Sequence, residues 1–81
     1  MNREQEIDRL ILEALRRFDG PTAEPIIHAA VNSRLSPEAL LSEFDAGIRR
    51  CQEARWITGV RNALRGTRWG ITDAGHMALE G

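Results

Sequence analysis

At 81 residues the chain has room for one small domain spanning residues 1–81, without a second core. A domain of this size buries only about 60 to 65% of the surface its unfolded form exposes. Apolar residues at 42% and charged residues at 28% describe an ordinary globular composition and exclude a disordered or low-complexity chain.

A single cysteine, Cys51, excludes an internal disulfide framework and a cysteine-rich zinc site. No apolar run approaches the roughly 18 residues of a membrane span, and the first ten residues are too polar for a signal peptide. A cytoplasmic protein with no membrane partner is expected.

The net charge of −1 conceals a separation of signs. Residues 1 to 48 hold nine acids and five arginines, whereas residues 49 to 81 hold three acids and six arginines, all six between Arg49 and Arg68. Every basic residue is arginine, a pattern that codon bias can produce without selection for phosphate binding, so arginine content by itself does not argue for it.

Ile7, Leu10, Ile11, Ala14, Leu15 and Phe18 recur at threes and fours, the stripe of a first amphipathic helix. Asn2 with Gln5 predicts a capping box, and Asp19-Gly20-Pro21 predicts the stop. Thr22 is the expected N-cap of a short second helix with Pro25 in its first turn and Ile26, Ile27, Ala30 and Val31 as its apolar face. Ser36-Pro37-Glu38 then predicts the start of a third helix running to about Ala54, with Leu40, Leu41, Phe44, Ile48 and Cys51 on its core stripe. Gly47 inside it costs about 1 kcal/mol relative to alanine, which implies close packing against another helix.

Beyond Ala54 the period changes to two, as expected of a hairpin: Trp56 to Val60, a loop with Arg65-Gly66-Thr67, then Trp69 and Ile71 on one face. Trp56, Ile57, Trp69 and Ile71 are assigned to the core, since tryptophans at such positions pack far more often than they stack on bases. Thr72 can cap a last short helix from Asp73 to Leu79.

Three helices, a two-stranded antiparallel wing and a short C-terminal helix make a mainly α chain with a small β-hairpin, the element order of a winged helix-turn-helix. Ala54-Arg55-Trp56-Ile57 and, more specifically, Trp69-Gly70-Ile71-Thr72-Asp73-Ala74-Gly75 resemble the corresponding steps of MarR-like and PadR-like bacterial transcriptional regulators. In the second motif Gly75 would let the last helix pack closely. The chain departs from the pattern at Arg55, where many relatives carry a helix-terminating glycine, so a left-handed cap there is strained, absent or shifted.

The resemblance implies double-stranded DNA as partner and a homodimer paired through the first and last helices. The expected contacts are Ser42, Ala46, Arg49 and Arg50 in the major groove, on an outward face that also includes Ala39 and Glu53, with Arg61, Arg65 and Arg68 at the wing. Glu38, Glu43, Asp45 and Glu53 oppose this, because a carboxylate near phosphate works against counterion release. Two readings therefore stay open: a DNA-binding regulator, or a winged-helix module whose mixed charge meets a protein partner. The wing arginines have a structural alternative of their own, as charges that keep an edge strand from aggregating.

His28 and His76 have no second ligand at metal spacing, and Cys51 reads as a buried small hydrophobe. With no catalytic triad, phosphate loop or paired carboxylates in sight, neither an enzyme nor a cofactor or metal is expected.

Overall fold

The computed structural model describes residues 2–18 and 20–81, so Asp19 in the expected helix stop lies outside the described residues. The chain is mainly helical: α1 (Arg3–Arg17), α2 (Glu24–Asn32), α3 (Leu41–Glu53) and α4 (Asp73–Glu80) surround a small antiparallel sheet of β1 (Thr22–Ala23), β2 (Ile57–Asn62) and β3 (Gly66–Ile71). The strand order is β1-β3-β2. No helix among the described residues is long and apolar enough to cross a membrane.

α1 starts as expected, with Asn2 accepting from the Gln5 amide and the Gln5 side chain accepting in return. Its stripe of Ile7, Ile11 and Leu15 is almost fully buried against Ile27 and Val31 of α2 and Phe44, Ile48 and Cys51 of α3. Each such side chain contributes about 1.5–3 kcal/mol by leaving water. Gly47 allows the α1–α3 approach, since a Cβ there would lie 2.9 Å from both Ile7 Cγ2 and Ile11 Cδ1.

The structure corrects several expectations. The sheet has three strands, not two: Thr22 pairs with Trp69 and Ala23 with Arg68 along the free edge of β3. Thr22 is thus a strand residue whose hydroxyl donates to the Gly20 carbonyl, and Ala23, with no capping side chain, takes the N-cap of α2.

α3 begins at Leu41, four residues later than Pro37. The segment before it is held in another conformation by α2: the Ala39 amide donates to Asn32 Oδ1 at 2.8 Å, and the Ala39 carbonyl accepts from His28 Nε2 at 2.9 Å and from Asn32 Nδ2 at 3.4 Å. Such side-chain bonds compete with the helical ladder. As a result Ala39, expected on the outward face, is buried, whereas Leu40 and Leu41, expected in the core, are 68% and 64% exposed.

The exit of α3 resolves the question raised by Arg55. Its amide donates to Gln52 O and that of Trp56 donates to Cys51 O, both at 2.9 Å, which is a Schellman closure. The closure places Arg55 at φ 64°, in the left-handed region that glycine fills without strain. Thr72 then ties the hairpin to this corner: its amide donates to Trp56 O, its hydroxyl donates to Arg55 O at 2.7 Å, and its oxygen caps the Gly75 amide. Gly75 packs so closely that a Cβ would collide with the Trp56 carbonyl oxygen.

Trp69 sits in the central strand, opposite Gly59 on β2 and Thr22 on β1. It is buried, and its indole N–H donates to Glu24 Oε2 at 2.9 Å. Ile57 is buried too, while Trp56 and Ile71 are half-buried against the same core.

Candidate nucleic-acid interface

The residues proposed from sequence fall on four separate parts of the surface. On α3, Ser42 and Arg49 are exposed and Ala46 is half-buried, all pointing away from Phe44, Ile48 and Cys51. Arg50 departs from this set. Its guanidinium folds across α1, with Nη2 2.9 Å from Asp8 Oδ1, Nε 3.0 Å from Asp8 Oδ2 and Nη1 3.4 Å from Glu4 Oε2. The carboxylate of Asp8 holds the Arg50 pKa above its ordinary value, and the side chain is spent within the fold.

The acids of α3 also divide. Glu43 accepts from Arg3 Nε at 2.9 Å and from the Leu40 amide at 3.0 Å, so its charge is matched internally and it caps the helix start. These hydrogen bonds, Arg3 first, lower its carboxyl pKa to about 2. Asp45 and Glu53 are exposed and have no ion-pair partner among the described residues. The outward side of α3 therefore offers one arginine, Arg49, against two free carboxylates, which is poor electrostatics for a major groove.

The hairpin differs. Arg55, Arg61, Arg65 and Arg68 have no carboxylate partner among the described residues, whereas Arg3, Arg9, Arg34 and Arg50 are all in ion pairs. Arg55 stands at the α3 exit, and pleat and register separate the three on the hairpin. Arg61 opposes Thr67 on the face of Trp69, and Arg68 opposes Val60 on the other face, where it is half-buried. Its Nε is enclosed without a hydrogen-bond partner among the described residues. Arg65 lies in the tip, which Asn62 builds by accepting the Leu64 amide at 2.8 Å and the Arg65 amide at 3.2 Å through Oδ1. Arg61 and Arg65 share the far end of the hairpin, and Arg68 does not join them.

Sequence reasoning missed the exposed leucines around these groups. Leu40 and Leu41 open the α3 face, and Leu64 at the hairpin tip is 95% exposed. Leu64 was legible as an apolar residue inside a polar turn; the other two were hidden by the misplaced helix start. His28, which has no second ligand at metal spacing, stacks on Phe44 with ring centroids 4.6 Å apart.

The rest of the surface adds little chemistry. Burial pushes the Cys51 thiol up to about 12, and among the described residues no group of three or more His, Cys, Asp or Glu could hold a metal ion. A groove of about 340 Å³ lies between α1 and α4, floored by Leu12, Trp56 and Leu79. No family model, curated protein or solved structure matches the chain.

Proposed function

We propose that the chain is a winged helix-turn-helix domain that binds double-stranded DNA chiefly through its hairpin, as a small cytoplasmic regulator of transcription. The element order supports this reading, with α2 and α3 as the helix-turn-helix and β2–β3 as the wing. One observation carries it: Arg3, Arg9, Arg34 and Arg50 of the helical half are matched by carboxylates of the fold, leaving Arg16, Arg17 and Arg49, while none of the hairpin arginines has such a partner among the described residues. Unpaired cations on a projecting element can displace the counterions condensed on a duplex, which gives salt-dependent affinity with little base discrimination. Arg61 and Arg65 are the main contacts in this reading, Arg49 and Ser42 secondary ones, and Arg50 none.

Titration into generic duplex DNA at low and moderate salt tests it. Affinity should fall steeply with salt, and Arg65→Ala should reduce the logarithmic salt slope by about 0.9. Absence of binding at low salt would sink the proposal. The second reading, a protein-interaction module, is favoured by one specific observation: exposed Leu40 and Leu41 stand beside free carboxylates where a groove reader would carry cations.

A further inference from the structure

We infer that two copies of the chain associate reciprocally, the hairpin tip of each seated on the start of α3 of the other. The tip presents Leu64 between exposed Arg61 and Arg65. The start of α3 presents Leu40 and Leu41 between exposed Glu38 and Asp45. One surface is a leucine flanked by cations, the other a leucine pair flanked by anions, so the two are complementary in both apolar and charged character. Within one chain they do not cover each other, since all three leucines stay open to solvent.

Both surfaces are held in place before any contact forms. The tip is tied by the Asn62 side chain and by the Arg65 amide donating to the Asn62 carbonyl at 3.3 Å. The α3 start is tied by Asn32 and His28 at Ala39, and by Arg3 Nη2 donating to the carbonyls of Pro37 at 3.0 Å and Glu38 at 3.3 Å. A prearranged backbone loses little conformational freedom on association. Arg61, Arg65, Glu38 and Asp45 have no ion-pair partner among the described residues, so no internal pair must break first. The positive end of the α3 dipole, which would repel arginines, is met by the Glu43 carboxylate.

A two-fold arrangement uses each contact twice and closes on itself, whereas a head-to-tail one would propagate. The association does not depend on the proposed DNA binding. It does cover Arg61 and Arg65, so the pair withholds the wing from a duplex and the single chain presents it.

Sedimentation of the full chain, without DNA, tests the inference. The expected result is a reversible dimer forming between about 10 µM and 1 mM, as befits a small interface, and weakened by salt as Debye screening shortens. Leu64→Ser, at a site with almost no contacts to lose, should raise the dissociation constant at least about tenfold. Two charge variants complete the experiment, one with Arg61→Glu and Arg65→Glu, the other with Glu38→Arg and Asp45→Arg. Each alone should stay monomeric, and an equimolar mixture should form a heterodimer, because an acidic tip then meets a basic α3 start and each variant's unaltered half finds its own complement. A wild-type chain that is monomeric throughout, or variants that fail to associate on mixing while folded by circular dichroism, would overturn the inference. So would a dimer indifferent to all three variants, which would place the contact elsewhere, with the α1–α4 groove as the next site to test.

Discussion

Arg50 and Asp8, 42 residues apart in the chain, meet across the α1–α3 interface with a guanidinium nitrogen 2.9 Å from a carboxylate oxygen. The contact takes an arginine from the expected DNA surface and uses it to fasten two helices where Gly47 lets them approach. Both side chains are substantially shielded, and a second pairing to Glu4 extends the cluster. Arg50→Ala should therefore cost about 1–3 kcal/mol of stability by leaving Asp8 without its partner. It should leave the salt slope of DNA binding unchanged, whereas Arg65→Ala should change the slope and leave the stability alone. Urea denaturation and DNA titration of the two variants check the crossed pattern.

Glu43 makes stability depend on acid. Its carboxyl pKa in the folded chain is about 2, below the ordinary value of 4.5, so the unfolded chain binds the proton more readily. The stabilisation is fully present above about pH 5 and is lost as pH falls through 4.5 toward 2. Glu43→Gln should flatten the pH dependence of the urea midpoint over that interval, measured against wild type.

Arg55 occupies a left-handed position at φ 64° that costs an L-residue about 1–2 kcal/mol. Glycine would relieve the strain while adding freedom to the unfolded chain, so Arg55→Gly should stabilise by about 0.5–1 kcal/mol. A higher melting temperature for the variant checks this; a lower one would mean that the Arg55 side chain contributes more than its backbone costs.

Gly75 and Gly47 should respond unequally to alanine. At Gly75 the new methyl would meet a backbone carbonyl, that of Trp56, which also accepts the Thr72 amide and cannot move without opening that corner. At Gly47 it would meet isoleucine methyls, and alanine's better helix propensity recovers about 1 kcal/mol. Gly75→Ala should cost about 2–3 kcal/mol and Gly47→Ala less, by comparison of denaturation midpoints.

Cys51 should behave as a hydrocarbon. It is fully buried, and its thiol is held up to about 12, so the thiolate is scarce at neutral pH. Modification by a disulfide reagent should be negligible in the native protein and should appear only as the chain unfolds in denaturant.

What the sequence determined by itself was local. The capping box of Asn2 and Gln5, the apolar stripe of α1, the hairpin with Trp69 in its core and the Thr72 cap all follow from residues a few positions apart, where helix period, strand period and capping chemistry act directly. Tertiary structure decided the rest. Whether Thr22 caps a helix or joins a sheet depended on the free edge of β3, 47 residues further on. Asn32 and His28 on another helix set the start of α3, exposing Leu40 and Leu41. The fate of Arg50 was set by a carboxylate on α1, and the separation of Arg61 from Arg68 by the register of β2 on β3. In each case the same residue had two locally acceptable states, and a hydrogen bond or ion pair with a sequence-distant partner selected one of them.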